Sequence, residues 1–87
     1  HRSLVFDGLT LIDDAGERLG VTLPEPADVS TLAGLVPAQI GRMPRPGDKV
    51  TIAGLEFTVV EVKGRRVSKV LVARRPEVQA DVAVRGG

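Results

Sequence analysis

Two short turns divide the second half of the chain into three segments with the composition of β-strands. The dipeptides Ala53-Gly54 and Lys63-Gly64 are typical of the tight loops that join hairpin strands. The segments around them are rich in β-branched residues, which strands favour; they are residues 49–52, 55–62 and 65–74. Because strands joined by such short loops run antiparallel, the sequence predicts a three-stranded antiparallel meander.

The longest of these segments has one apolar side. Successive side chains of a strand point to opposite faces of the sheet. The residues predicted to face the core are Leu55, Phe57 and Val59, and those predicted to face away are Glu56, Thr58 and Val60. Only two aromatic residues occur among the 87 of the chain, which is long enough for a single domain. The core is therefore expected to be almost entirely aliphatic.

Residues 11–19 have the spacing of an amphipathic helix. Apolar residues recur on one face; they are Ile12, Ala15 and Leu19. We predict that Thr10 caps the helix start, with Asp13 completing a variant of the capping box, and that Gly20 takes the left-handed conformation after the helix end. Glycine in a helix interior costs about 1 kcal/mol relative to alanine, so Gly16 is expected to weaken this helix.

A second apolar stripe predicts another helix before Gly41. Its core-facing residues are Leu32, Leu35, Val36 and Ile40. Either Ser30 or Thr31 is the predicted N-cap. Pro37 interrupts the pattern because proline cannot donate to the carbonyl of Ala33 and crowds it. The sequence therefore predicts either a kink at Pro37 or a separate turn that begins there.

A short strand over residues 4–6 precedes both helices, and the turn pair Asp7-Gly8 ends it. The element order is thus β-α-α-β-β-β. Helices that are separate in sequence from an antiparallel meander indicate an α+β domain of two layers, with both helices on one sheet face.

Residues that carry enzymatic chemistry are scarce. The chain has no cysteine, and its only histidine is His1. Ser68 and Lys69 are neighbours, but neighbouring side chains of a strand point to opposite faces. No glycine-rich phosphate motif occurs, and no apolar run approaches the roughly 20 residues needed to cross a bilayer. We interpret the acidic residues Asp13, Asp14 and Glu17 as a solvated helix start. The sequence therefore predicts no catalytic residue and no metal site.

Charge is distributed unevenly along the chain. Residues 1–41 contain two basic and six acidic residues, whereas residues 42–75 contain nine basic and three acidic residues. Such polarity guides the docking of charged partners. Arginine binds carboxylate and phosphate groups through a planar fork of donors. We therefore predict ligand or partner contacts at Arg42, Arg65 and Arg66.

Two alternatives follow from the residues alone. The exposed edge strands of a small meander invite pairing between copies, which favours an oligomerising or structural module. The segment Gly47-Asp48-Lys49-Val50, with short strands after it, is also somewhat like small SH3-like or KOW-type barrels that bind RNA. The two preceding helices and the scarcity of stacking aromatics argue against that barrel, so no nucleic-acid partner is expected.

An ordered series of short segments resembles the CorC/HlyC transporter-associated domain. The segments are FDG (6–8), LG (19–20), LP (23–24), TLAGLV (31–36), GRMP (41–44), PGDKV (46–50), GLEFTV (54–59) and GRRV (64–67). Two positions depart from the family pattern: Pro37 replaces an aliphatic residue, and Lys63 stands where the family more often has Asp or Asn. Neither departure disturbs the order of the series.

The resemblance implies a setting for the domain. Family members usually follow a membrane-spanning region and a pair of CBS domains in hemolysin-like or magnesium and cobalt efflux proteins. It implies a regulatory, non-enzymatic role at the cytoplasmic face of the membrane. Neighbouring CBS and membrane domains are the expected partners, and a homodimer is a further option. The fold is similar to a subdomain of FAD-linked oxidases, so flavin (FAD) or an adenine nucleotide is a cofactor by fold analogy alone.

The resemblance covers about residues 4–75, which is the expected extent of the domain. The start His-Arg-Ser, without a methionine, indicates that residues 1–3 are a purification-tag remnant. Pro76 is expected to end the last strand, so residues 76–87 are expected to form a flexible C-terminal tail.

Overall fold

The computed structural model describes residues 3–74 and contains four strands and two helices in the predicted order. The elements are β1 (Ser3–Asp7), α1 (Ile12–Leu19), α2 (Leu32–Ile40), β2 (Lys49–Ile52), β3 (Leu55–Lys63) and β4 (Arg66–Arg74). The α+β class is confirmed. The predicted tail over residues 76–87 lies outside the described residues.

All neighbouring strands pair antiparallel, in the order β1-β4-β3-β2. The last three strands form the predicted meander. The first strand lies beside the last, with Ser3 opposite Ala73 and Asp7 opposite Lys69. The described sheet is open, with β1 and β2 at its two edges. The alternative of an SH3-like or KOW-type barrel is therefore wrong, because a barrel closes these edges.

The structure confirms the predicted residues of the first hairpin loop but not those of the second. In the first loop Ala53 and Gly54 both have positive φ, 53° and 80°, which is the conformation of a type I′ turn and confirms the predicted hairpin. In the second loop Lys63 pairs with Arg66. The loop residues are therefore Gly64 and Arg65, one position later than the predicted pair, because only glycine readily adopts the φ of 63° found at position 64.

The core lies between the two helices and one face of the sheet. The predicted inward residues of β3 are all buried, and Phe57 at their centre is fully enclosed. The other core residues are Phe6, Ile12, Ala15, Leu23, Leu32, Leu35, Val36, Ile52, Val67, Val70 and Val72. Burying an aliphatic or aromatic side chain of this size contributes about 1.5–3 kcal/mol. This single cluster therefore holds both layers together.

The two helix starts are held by backbone rather than by side chains. The N–H of Ile12 donates to the carbonyl of Ser30 at 2.8 Å, and the N–H of Leu32 donates to the carbonyl of Thr10 at 3.0 Å. Leu11 and Thr31 occupy the cap positions and neither makes a side-chain cap bond. The prediction of a Thr10 cap is wrong, because the exchange of backbone bonds between the two segments takes over that task.

Two glycines allow segments of backbone to approach closely. A Cβ atom on Gly8 would collide with the carbonyl of Val67. A Cβ atom on Gly16 would lie 2.7 Å from the carbonyl oxygen of Val21, whose N–H donates back to the Gly16 carbonyl in a Schellman-type helix end. Gly16 therefore permits the chain to fold back against α1, which offsets its poor helix propensity.

Helix α2 continues through Pro37. It runs without a break from Leu32 to Ile40, and the N–H of Gly41 donates to the carbonyl of Pro37 at 2.8 Å. The proline therefore neither ends the helix nor starts a separate turn. Leu35 and Val36 in the same helix are fully buried, and this burial offsets the cost of the hydrogen bond that Pro37 cannot make.

Candidate functional site

The described part of the chain offers surface sites rather than a buried reactive centre. Within residues 3–74 no polar or charged side chain is buried, and no three His, Cys, Asp or Glu residues are grouped so that they could hold a metal ion. None of the helices in this range is long and apolar enough to cross a membrane. Three surface features remain: a basic hairpin, an acidic cleft and an apolar cavity.

Arg42, the first of the three predicted contact residues, lies in the loop between α2 and β2. Its Nη1 donates to Oδ2 of Asp48 at 2.9 Å and to the carbonyl of Met43 at 3.2 Å. The same Asp48 oxygen accepts the backbone N–H of Arg45 at 2.8 Å. Arg42 therefore ties the loop over residues 42–48 together, and only its remaining N–H donors face solvent.

The ion pair between Arg42 and Asp48 shifts the pKa values of both residues. The hydrogen bond from Arg42 lowers the pKa of Asp48, and the Arg45 backbone bond lowers it further. The hydrogen bond to Asp48, with the attraction of its charge, raises the pKa of Arg42. The Arg42 side chain is 55% exposed and that of Asp48 21% exposed, so solvent screens much of the attraction. The pair fixes loop geometry more than it adds stability.

Arg65 and Arg66 lie at the far end of the β3–β4 hairpin. We define the basic hairpin as Lys63, Arg65, Arg66 and Lys69, all of which are exposed. The only ion pair between side chains of residues 3–74 is Arg42–Asp48, so none of these four cations lies within ion-pair distance of a carboxylate in that range. The structure brings Arg65 and Arg66 together, whereas Arg42 belongs to a separate loop.

The β3–β4 ladder is irregular beside the basic hairpin. Val59 pairs with Val70 and Glu61 with Lys69, so Val60 is an extra residue that the regular alternation did not predict. The hydroxyl of Ser68 donates to Oε1 of Glu61 at 2.7 Å. That bond lowers the pKa of Glu61, and the charges of Lys69 and Lys63 lower it further. Glu61 therefore stays ionised and offsets part of the positive charge.

The acidic cleft lies on the other layer, beside α1. It has a volume of about 450 Å³, and its carboxylates come from Asp13, Asp14 and Glu17 of the helix and from Glu25 of the following loop. The negative charge of Asp13 raises the pKa of Glu25, with smaller contributions from burial and from a hydrogen bond between the two side chains. The sequence indicated the helical carboxylates but missed Glu25, because the loop after Gly20 brings it back.

The apolar cavity lies between the end of α1 and the edge where β1 starts and β4 ends. It has a volume of about 370 Å³ and is lined by Leu4, Arg18, Leu19, Leu55, Val72, Ala73 and Arg74. The guanidinium carbon of Arg18 lies 5.5 Å from the centre of the Phe6 ring, within cation–π range. No local pattern in the sequence indicates this cavity, because four separate elements form its walls.

The chain matches the family model of the CorC/HlyC transporter-associated domain over residues 1–76. Its fold is similar to that of the CorC/HlyC domain from Nitrosomonas europaea, with a TM-score of 0.77 and 34% identity over 84% of this chain and 87% of that one. A second similar structure is the domain of a Xylella fastidiosa hemolysin in complex with Mg²⁺ and Mn²⁺, with a TM-score of 0.73 and 32% identity over 84% and 87% of the two chains.

Among curated proteins, the chain is similar to the polyamine export protein of Escherichia coli. The two are 32% identical over 75 residues, which are 85% of this chain and 17% of that protein. The chain thus spans about a sixth of the length of this relative. The family match, the shared fold and the segments that carry the resemblance all agree. This chain therefore belongs to the CorC/HlyC transporter-associated domain family.

Proposed function

We propose that this domain is a non-catalytic regulatory module of a membrane transporter that exports a polyvalent cation. The observation that carries the proposal is membership of a transporter-associated family with a polyamine exporter among its relatives. Polyamines and divalent metals share multiple positive charges, and the Xylella fastidiosa relative is in complex with Mg²⁺ and Mn²⁺. We place the domain at the cytoplasmic face of the membrane, as the resemblance implies.

The charge distribution supports docking as the way this module acts. The acidic cleft and the basic hairpin lie on different layers of the domain and carry opposite charge. A domain with two such surfaces can orient itself between partners of complementary charge. We propose neighbouring CBS and membrane domains as those partners, with Arg65 and Arg66 as the principal contacts. Arg42 would contribute through the donors that Asp48 does not use.

A chimera tests the proposal directly. The matching 75-residue segment of the Escherichia coli polyamine export protein is replaced by this chain, and polyamine efflux is measured in cells that lack the native exporter. We expect export to be retained. The variant Arg65→Gln/Arg66→Gln should reduce it, because neutral side chains lose the charge-assisted bonds to a partner.

The matched control is Arg45→Gln/Lys49→Gln, which removes the same charge from exposed positions outside the basic hairpin, in the loop before β2 and at the start of β2. We expect export close to that of the unaltered chimera. Equal export by both double variants, at equal protein levels, would show that the basic hairpin does not dock. Failure of the unaltered chimera, with normal membrane insertion, would contradict the regulatory role itself.

Small-molecule sensing is tested separately on the 87-residue chain. Its melting temperature is measured with FAD, AMP, ATP, Mg²⁺, Mn²⁺ and spermidine. A ligand at 100 times its dissociation constant stabilises a folded domain by about 2.7 kcal/mol. A shift with a nucleotide or a cation would identify a signal that the module senses. An unchanged melting temperature across the panel would restrict the role to docking.

The β1 edge favours a second candidate function, assembly into a homodimer. Val5 is 62% exposed and Leu4 is 38% exposed, and β1 contains no proline and no basic residue that would oppose pairing. Light scattering at rising concentration tests the idea, with Val5→Lys as the variant that should prevent association. A monomer at all concentrations would remove this candidate.

A further inference from the structure

The apolar cavity combines two features that its family assignment does not explain. One wall is aliphatic. Leu55 and Val72 of this wall belong to the core, Leu19 packs against the core, and Leu4 is partly exposed at the sheet edge. Two arginines, Arg18 and Arg74, complete the lining. Ligand sites typically pair an apolar body with a few polar groups that fix orientation. The cavity presents both kinds of group.

The arginines are available to an external anion. Neither Arg18 nor Arg74 lies within ion-pair distance of a carboxylate in residues 3–74, where the only pair is Arg42–Asp48. Arg18 is also held over the Phe6 ring, so part of its conformational freedom is already lost before a ligand arrives. A preordered guanidinium loses less entropy when it binds a carboxylate or phosphate.

The charges around the cavity favour an anion, although the negative C-terminal end of α1 lies nearby. The last turn of α1 contributes a negative partial charge of about half an elementary charge. Two of its four terminal carbonyls are already satisfied, since the carbonyls of Glu17 and Gly16 accept the N–H groups of Gly20 and Val21, respectively. Two full positive charges from Arg18 and Arg74 therefore outweigh the helix end.

From these observations we propose that the cavity binds a small amphipathic anion. Its carboxylate or phosphate is held by Arg18 and Arg74, and its short apolar chain lies against the aliphatic wall. The volume of about 370 Å³ is at the lower end of the range for ligand pockets. A short acyl chain therefore suits it better than a dinucleotide. This site stands whether or not the domain regulates a transporter.

The experiment uses the isotopically labelled 87-residue chain and NMR titration with decanoate, below the concentration at which it forms micelles. We expect saturable binding with shifts centred on the amides of Leu4, Leu19 and Val72. Decyl phosphate should bind at the same place. Decyltrimethylammonium has the same tail with opposite charge, and acetate has the charge without the tail, so both should bind far more weakly.

Single substitutions test which positive charges decanoate binding requires. Arg18→Gln and Arg74→Gln should each weaken decanoate binding about tenfold, the loss expected for one charge-assisted hydrogen bond. Arg66→Gln, an equal charge change in the basic hairpin, should leave the affinity unaltered. Leu4→Asp places a carboxylate in the cavity at a partly exposed position, and should weaken binding more than either arginine variant.

Four outcomes would overturn the proposal. One is equal binding of decanoate and decyltrimethylammonium. Another is unaltered affinity in Arg18→Gln/Arg74→Gln with a native spectrum. The third is a set of shifts centred away from the cavity. The fourth is binding to vesicles of anionic phospholipid without binding of decanoate, which would indicate a membrane surface site. Shift mapping on the unaltered chain decides the matter even if a variant fails to fold.

Discussion

Two parts of the fold differ in the kinds of bond that hold them. One is the helix-start junction, where residues 8–12 meet residues 30–33, and the other is the loop over residues 42–48. At the junction, backbone groups bind one another, including the N–H of Ala33 to the carbonyl of Gly8 at 2.8 Å. In the loop, the Asp48 carboxylate binds Arg42 and the N–H of Arg45. The bonds of the junction involve no titratable group and lie over the core. The loop also has backbone bonds, including one from the N–H of Asp48 to the carbonyl of Arg45 at 3.0 Å, but only the loop adds a bond between charged side chains that faces solvent.

This difference shows where the domain can be altered without loss of its fold. Backbone hydrogen bonds over a buried cluster do not respond to pH or salt. They are lost only when the two backbone segments cannot approach each other closely enough. Bonds between exposed charged groups respond to both pH and salt. The junction is therefore expected to set stability, and the loop to set only local geometry.

The largest effect is expected from Gly8→Ala. The new Cβ atom would meet the backbone carbonyl of Val67, which cannot move aside without disturbing β4. We expect the free energy of unfolding to fall by about 3 kcal/mol, at the upper end of the cost of overpacking. Urea denaturation measures it.

The matched control is Gly34→Ala in α2, where the new Cβ atom would meet mainly a side-chain methyl of Val29 at 3.1 Å. The helix propensity of alanine offsets that crowding, because alanine is favoured over glycine by about 1 kcal/mol. Equal destabilisation by the two substitutions would mean that the junction has no special role.

A smaller effect is expected from Asp48→Asn, and it should depend on pH. The pKa of Asp48 is lowered in the folded state by Arg42 and by the Arg45 N–H. Its contribution to stability is therefore complete above the unfolded-state pKa of about 3.9. That contribution is lost as pH falls through the lower pKa of the folded state. The melting temperature of the variant should be below that of the unaltered chain at pH 7.

The two melting temperatures should converge as the solution is acidified below about pH 3.9. Calorimetry across the acidic range measures this convergence. Gly8→Ala serves as a reference, because its melting temperature should stay below that of the unaltered chain by the same amount at every pH. If the difference in melting temperature between Asp48→Asn and the unaltered chain did not change with pH, Asp48 would not stabilise the fold through its ionised carboxylate.

The smallest effect is expected from Arg42→Gln. Asp48 keeps its bond from the N–H of Arg45 at 2.8 Å in this variant, and the backbone bonds of the loop also remain. The exposed pair is also screened by salt, with a Debye length of about 8 Å at physiological ionic strength. We expect a slight fall in melting temperature at low salt that disappears in high salt. A fall in melting temperature as large as that of Asp48→Asn would show that Arg42 alone holds the loop.

The parts of the fold that depend on near neighbours in sequence were predictable. The Ala53-Gly54 turn requires positive φ at both positions, and the β3 alternation requires one buried face; both requirements are visible in a few residues. The bulge at Val60 was missed, because it depends on how β3 and β4 pair across the ladder. The later start of β4 was missed, because it depends on Gly64 being the loop residue with positive φ.

Contacts between distant segments were not predictable in the same way. The Thr10 cap failed because Ser30, twenty positions away, supplies the bond. Gly16 looked unfavourable because its contact with Val21 forms only after the helix ends. Of the candidate sites, the basic residues were recognisable from charge alone. The cavity, with walls from β1, α1, β3 and β4, required the assembled sheet.

The pairing of β1 with β4 also determines how the domain responds to mechanical force. Ser3 and Ala73 face each other at one end of this ladder, so tension applied at Ser3 and Arg74 pulls the two strands apart from that end. The hydrogen bonds would then carry the load one after another instead of sharing it. This zipper geometry yields at low force, although the same ladder completes the sheet at equilibrium. A single-molecule pull from these two points should detach β1 first and leave the three-stranded meander as an intermediate.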